Sequence, residues 1–364
     1  MWGVDLMLGF SLYLSECRKV NYQKLLKKAK KAGSQNIFTS LHIPEDNPDD
    51  YLALLKKLAE LVSDNDMNLI VDISPSSLSY LNLNVNNAEE VLNWGVTGFR
   101  LDYGFEKHDI VELSKKMIVV LNASTVTKSY LESLISLGLN LKNVEAMHNF
   151  YPRPETGLCR EFLIRKNKLL KSYKIKVSAF IPGDNDKRYP LFEGLPSLEE
   201  HRNENPVKSF LDLKYKCLVD NIYVGDLNLS NETLMDFERL KEGYLLLRFK
   251  GFEDDDLKKV YQYLNKIHRN RLDQAQNVVR LSSARSDLQN MVHLLPRNNN
   301  KRTRGSITID NIDYGRYCGE IQISLTDMPA NPKVNVIGQV VNSDLYLLDY
   351  IKRGEKFKLF KINN

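Results

Sequence analysis

The stretch Asn143–Ile181, NVEAMHNFYPRPETGLCREFLIRKNKLLKSYKIKVSAFI, decides the fold. It opens on a short apolar run, Asn143–His148, of the length and texture of a strand. Arg160–Tyr173 then sets leucine, isoleucine and phenylalanine among lysines and arginines at helical spacing. Lys176–Ile181 is a second strand-like run, so the segment reads as strand, loop, amphipathic helix and next strand. The loop, AMHNFYPRPETGL (Ala146–Leu158), gathers His148, Asn149, Phe150, Tyr151, Arg153 and Glu155 around Pro152 and Pro154. Prolines fix φ and push their predecessors towards extended backbone. Polar groups held that way lose little further entropy when a ligand arrives.

Working outward, the same rhythm recurs. Strand candidates are Met7–Leu14, Asn36–His42, Asn68–Ile73, Gly98–Asp102, Ile118–Asn122, Asn143–His148, Lys176–Ile181 and Asn221–Val224. Helical patterns fit between them at Asn21–Ala32, Asp49–Asn65, Glu89–Trp94, Lys107–Met117, Lys128–Leu139, Arg160–Tyr173 and Pro206–Val219. Eight such units in roughly 240 residues predict an α/β fold of the (β/α)8 TIM-barrel type. A doubly wound open sheet competes, but no strand is followed by the G-x-G-x-x-G turn that many such sheets carry. Beyond Thr233–Glu242 the texture changes. Tyr244–Phe249 reads as a strand and Asp254–Ile267 as a helix. Alternating runs follow at Gly305–Asp310, Gly319–Leu325, Asn335–Val341, Asp344–Ile351 and Lys356–Ile362, without crossover helices, which predicts a small antiparallel β-barrel domain. The boundary falls near residue 240, giving domains 1–240 and 241–364.

A net charge of +5 spread among interleaved acids and bases does not argue for nucleic-acid binding. The basic cluster Arg297–Arg304 is asparagine-rich and reads first as a solvated loop. No run approaches a membrane span, and the N-terminus lacks a signal peptide's basic start. Cys17, Cys159, Cys217 and Cys318 show no metal or redox spacing, which predicts buried free thiols in a reducing compartment, the cytoplasm. Oligomeric state leaves no mark on the sequence.

In a (β/α)8 enzyme the chemistry sits where the strands end. That rule selects Ser11 and Tyr13 after the first strand, His42 and Glu45 after the second, Asp72 after the third, and Arg100 and Asp102 at the fourth. The sixth delivers His148, Asn149, Tyr151, Arg153 and Glu155. The seventh leads to Asp184, Arg188 and Glu193, and the eighth to Asp226. So many carboxylates at one rim suit glycosidic cleavage, in which one acid protonates the leaving oxygen and a second stabilises or attacks the cationic centre. For any single one, capping a helix or pairing with an arginine is the alternative. Asp102 and Glu155 are the first candidates for the catalytic pair, with Asp72, Asp184 and Glu193 in reserve. Arg153 and Arg188 suit phosphate or a sugar carboxylate, since guanidinium forks bind such oxygens bidentately and barrels often seat phosphate after their last strands. Asn149, Tyr151, His148, Tyr13 and Ser11 would orient hydroxyls or the ring. No strand end carries a Schiff-base lysine, no histidine pair has metal-site spacing, and no G-x-S-x-G elbow occurs. No cofactor or metal is expected.

The chain resembles the bacterial 6-phospho-N-acetylmuramidase family. The likeness rests on FSLY (Phe10–Tyr13), RLDYG (Arg100–Gly104), NFYPRPETG (Asn149–Gly157), FEGLPSLEEHR (Phe192–Arg202), RGSITIDN (Arg304–Asn311) and YGRY (Tyr314–Tyr317). The resemblance implies a TIM barrel followed by a cyclophilin-like β-barrel. It also implies a cytoplasmic hydrolase cleaving disaccharides of 6-phosphorylated N-acetylmuramic acid and N-acetylglucosamine in peptidoglycan recycling. The residues alone leave two alternatives open: a non-catalytic phosphosugar sensor, and a metal-free phosphosugar isomerase or lyase using Glu155 or His148 as base.

Overall fold

The computed structural model describes residues 6–18, 21–41, 50–288 and 294–362. His42 and Glu45 lie outside the described residues. The chain divides into two compact units, Leu6–Phe237 and a second that begins at Glu238.

In the first unit eight parallel strands close on themselves. They are β1 (Leu8–Ser11), β2 (Ser34–Ser40), β3 (Asn68–Ile73), β4 (Gly98–Leu101), β5 (Ile118–Asn122), β6 (Val144–Met147), β7 (Lys176–Ile181) and β8 (Asn221–Val224). Closure comes from β1 pairing with β8, Leu8 opposite Ile222 and Phe10 opposite Val224. Around them run α1 (Tyr22–Lys31), α2 (Tyr51–Ser63), α3 (Pro75–Tyr80), α4 (Lys107–Lys116), α5 (Lys128–Ser136), α6 (Arg160–Ser172), α7 (Pro206–Lys216) and α8 (Asn231–Lys241). The six residues of α3 are too few to show a helical period in the sequence. Its start is nevertheless well marked, by Pro75 at the first turn and a Ser74–Ser77 capping box. Glu89–Trp94, expected as a short α-helix, is a 3-10 helix over Ala88–Trp94.

The barrel interior is layered, because alternate residues of each strand point inward. Phe38, Ile70, Val120, Met147, Phe180 and Tyr223 form the middle layer. Phe38 and Phe180 meet edge to face at 5.2 Å between centroids. Tyr223 lies where a side chain on β1 would otherwise project: a Cβ on Gly9 would come within 2.4 Å of its ring, so only glycine fits. Two residues back along the strands the lining turns polar, with Asn68 Nδ2 donating to Asn36 Oδ1 (3.1 Å) and Lys176 paired to Glu145 (3.8 Å). Two residues forward it is polar again, and that layer is the mouth.

The second unit is a seven-stranded sheet in the order β10-β15-β9-β14-β12-β13-β11. Its strands are β9 (Leu245–Gly251), β10 (Ile267–Arg269), β11 (Val278–Arg280), β12 (Ser306–Asp310), β13 (Ile321–Ser324), β14 (Val334–Val340) and β15 (Lys356–Ile362), with helices α9 (Lys258–Leu264) and α10 (Ala284–Leu288). All neighbours are antiparallel except β15 and β9, which run parallel. The two edge strands meet through a bridge between Asn270 and Leu281, which nearly closes the sheet. Asp344–Ile351, expected as a strand, lies in a 3-10 helix over Asn342–Tyr350. Asp344, Leu347, Leu348 and Tyr350 are its buried positions, a spacing that does not alternate from the start of the run, and Asp344 takes hydrogen bonds from the Arg248 guanidinium (3.1 Å) and backbone N–H (2.8 Å).

The thiols of Cys159, Cys217 and Cys318 are free. Of these three only Cys217 is buried, and Cys159 is exposed at the N-cap of α6; the side chain of Cys17 lies outside the described residues. Among the described residues, no helix is long and apolar enough to cross a membrane.

Candidate active site

The mouth is organised around Arg100, which points inward from β4 and is almost wholly buried. Its Nη1 donates to Asp72 Oδ1 at 2.5 Å and its Nη2 to Asn149 Oδ1, while Ser40 Oγ donates to Asp72 Oδ2 at 3.0 Å. A buried guanidinium is tolerable only when paired and hydrogen-bonded, and residues from β2, β3 and the end of β6 do this together. Asp102 leaves β4 still in register, its N–H bonded to Ile73 O at 3.0 Å. One of its carboxylate oxygens lies 3.9 Å from Arg100, and the side chain is 28% exposed. Asp72 and Asn149 are thus spent on Arg100, whereas Asp102 faces the opening.

The loop after β6 is held from below and from the side. Ser197 Oγ donates to Asn149 O (2.8 Å) and accepts from Phe180 N (2.9 Å); Tyr151 N donates to Pro196 O (3.0 Å). Glu199 then clamps the turn. One oxygen accepts from Glu155 N (2.9 Å) and Arg202 Nε (2.6 Å), the other from Gly157 N (2.7 Å) and Arg202 Nη2 (2.6 Å). The Arg202 guanidinium and these two amides hold the Glu199 carboxyl down at about 2. Arg202 also donates to the carbonyls of Arg153 (3.2 Å) and Gly194 (3.1 Å), tying two loops together. Glu155 takes a left-handed backbone (φ 71°) within this clamp. The side chains of Arg153 and Glu155 are exposed.

The loop after β7 is anchored by Asp226, fully buried at the end of β8. It accepts from the backbone N–H groups of Gly183 (2.8 Å), Leu195 (3.1 Å) and Arg188 (3.1 Å). The Arg188 guanidinium lies over the ring of Tyr13, 4.0 Å from its centroid. Among the described residues no carboxylate forms an ion pair with Arg153 or Arg188.

The remaining selected residues fall elsewhere. Tyr13 is completely buried, its hydroxyl donating to Gly225 O at 2.6 Å and its pKa pushed up to about 12 by burial. Ser11 is buried beside it on β1. His148 has both ring nitrogens engaged, with Ser124 Oγ (3.2 Å) and with Asn167 of α6 (2.7 Å). Burial holds its pKa down at about 4, so it is neutral near pH 7. Asp184 accepts from Ser230 N (2.8 Å), Ser230 Oγ (2.8 Å) and Thr233 Oγ1 (2.6 Å), capping the start of α8. Glu193 is exposed on the β7 loop. Sequence reasoning missed the Glu199–Arg202 clamp; their i, i+3 spacing on a short turn was the available signal.

Glu200, His201 and Asp212 bring three possible metal-ligating atoms within 4.8 Å of one another. Arg160 already pairs with Glu200 (2.5 Å) and Asp212 (2.6 Å), and Lys216 lies 3.9 Å from Asp212, so two cations offset the two carboxylates. Beside Asp102, a cavity of about 330 Å³ opens between the loops that follow β4 and β5.

This rim belongs to a barrel enzyme of the glycosidase class. Residues 8–239 match the N-terminal domain and residues 247–360 the C-terminal domain of 6-phospho-N-acetylmuramidase. The chain belongs to that family. Among solved structures it is similar to a conserved protein of unknown function from Enterococcus faecalis, at 36% identity and a TM-score of 0.85, covering 98% of this chain and 96% of that one. It is also similar to an uncharacterized B. cereus protein, at 28% identity and a TM-score of 0.76, covering 98% and 99%. No curated protein matches.

Proposed function

We propose that the barrel hydrolyses the bond between 6-phosphorylated N-acetylmuramic acid and N-acetylglucosamine, as a cytoplasmic step of peptidoglycan recycling. The chemistry is assigned to residues 1–240. The β domain, 241–364, is read as cyclophilin-like and given no isomerase role, since fold does not imply function. The observation that carries the reading is the pair of guanidinia, Arg153 and Arg188, that have no carboxylate ion pair among the described residues, on the rim where Asp102 opens. They suit the phosphate and lactyl carboxylate of such a sugar.

In this scheme Asp102 is the acid. It protonates the glycosidic oxygen as the bond from that oxygen to the anomeric carbon breaks, and the departing sugar leaves as an alcohol. Glu155, as carboxylate, stabilises the positive charge at the anomeric carbon. Water then adds its hydroxyl to that carbon and returns its proton to Asp102. Asn149 and Tyr151 border the ring, and Arg100 with Asp72 keeps the floor rigid.

Incubation of the purified protein with the 6-phosphorylated disaccharide tests this directly. Release of free N-acetylglucosamine is expected. Tight binding without release would favour a phosphosugar sensor; neither binding nor release would refute the assignment.

A further inference from the structure

We infer that the cavity between the β4 and β5 loops is the seat of the departing, uncharged sugar, and that it fixes which aglycone the enzyme accepts. The inference rests on the reaction proposed above and adds to it a place for one half of the substrate.

The cavity is built by the residues after β4 and β5 and by the first turns of α4 and α5. Its volume of about 330 Å³ is at the small end for ligand sites, the scale of one sugar ring. Three features give it a chemistry. Tyr103, Phe105 and Tyr130 supply aromatic faces, which suit the C–H side of a pyranose. Ile110, Leu121 and Val126 supply an apolar wall on which an acetamido methyl can rest. Asn122, Thr125 and Thr127 supply hydroxyl and amide groups for the sugar's own hydroxyls.

Charge decides which sugar goes there. Asp102 is the only ionisable acid among the described lining residues, and no lysine or arginine lines the cavity. The nearby Lys107 sits over the Tyr130 ring, 5.4 Å from its centroid. A phosphate or lactyl carboxylate placed here would meet the Asp102 carboxylate, with no cation among the described lining residues; Lys107 lies over the Tyr130 ring and Arg100 is drawn to Asp72 and Asp102. The open guanidinia are on the loops after β6 and β7, farther round the same rim. The mouth is therefore polarised, with a cationic side for the phosphorylated sugar and a neutral side for its partner. Asp102 belongs to both, since it lies 3.9 Å from Arg100 at the floor of the mouth and also lines the cavity. A proton donor to the bridging oxygen has to stand at that junction.

Two substrates separate this inference from the reaction it rests on. One is the phosphorylated disaccharide; the other is the 1-fluoride of 6-phospho-N-acetylmuramic acid, whose leaving group needs no cavity. Tyr103→Ala removes an aromatic face from a residue that is 74% exposed, so the fold is not threatened. Val126→Trp fills the cavity. In each variant the ratio of kcat/KM for the disaccharide to that for the fluoride should fall at least about tenfold, and inhibition by free N-acetylglucosamine should weaken in parallel. If the wild type cleaves the disaccharide and Tyr103→Ala leaves both the ratio and the inhibition within twofold, the cavity is not the aglycone site, whatever Val126→Trp does. A wild type that cleaves neither substrate overturns the reaction and this inference together.

Discussion

Replacing Glu199 by glutamine tests whether the β6 loop is pre-organised by a hydrogen-bonded charge. The carboxylate accepts four hydrogen bonds, from the N–H groups of Glu155 and Gly157 and from Arg202 Nε and Nη2. Glutamine keeps one acceptor and aims an amide donor at donors. The magnitude follows from ionisation. The Arg202 contact, followed by the two amides, moves the Glu199 carboxyl from the ordinary 4.5 to about 2, which is worth roughly 3 kcal/mol. Because the side chain is 31% exposed, solvent screening reduces this to about 2 kcal/mol. On a unit of this size that lowers Tm by roughly 4–8 °C. A carboxyl whose folded pKa is depressed contributes fully above its unfolded value, and the contribution is lost as pH falls. The gap between wild type and variant should thus be full at pH 7 and close between pH 4.5 and 2. Urea melts at pH 7 and 3.5 measure it, alongside KM for the phosphorylated disaccharide, which should rise as Arg153 and Glu155 lose their support. A gap below about 0.5 kcal/mol at pH 7, or one that ignores pH, would refute the clamp.

Other expectations can be checked with the same preparations. Asp102→Asn and Glu155→Gln should each lower turnover at least about a hundredfold; near wild-type rates in a coupled N-acetylglucosamine assay would remove both from the chemistry. Arg188→Ala should lower kcat/KM for phosphorylated substrate roughly 10–100-fold, the worth of a hydrogen bond to a charged group, with little effect on an unphosphorylated analogue. Gly157→Ala should destabilise by roughly 1–3 kcal/mol, because its Cβ would come 2.5 Å from Glu199 Oε2. In the β domain, burial and the neighbouring Glu320 push Asp310 up to about 7 from the ordinary 3.8. A raised carboxyl costs stability as pH climbs through that window, so Asp310→Asn should melt higher than wild type above pH 7, and the difference should vanish below pH 3.8.

The barrel was legible because each of its strands is a run of buried residues between helices of clear period. What escaped was short or set by distant partners. β10 and β11 have three residues each, too few to alternate visibly. Asp344–Ile351 carries apolar residues that fit a strand as well as a 3-10 turn, and its contact with Arg248 across the sheet decided the matter. The mouth shows the same division. The rule about strand ends found Asp102, Asp72, Asp184 and Asp226 alike. It did not distinguish the open one from those already engaged, because the partners of Asp184 lie 46 and 49 residues away and the amides held by Asp226 lie on another loop. The loop sequence likewise offers His148 as a group to orient a sugar hydroxyl, because its partner Asn167 lies on α6, outside that loop.

Asp226 has a further consequence, for how this enzyme can diverge. A single carboxylate gathers the amides of Gly183, Arg188 and Leu195, so both ends of a long irregular excursion are pinned to the last barrel strand. Between those pins, Tyr189, Leu191 and Phe192 lie exposed, with nothing regular to preserve. Insertions or deletions there leave the sheet untouched, and descendants can remodel the roof of the cleft while inheriting its foundations intact.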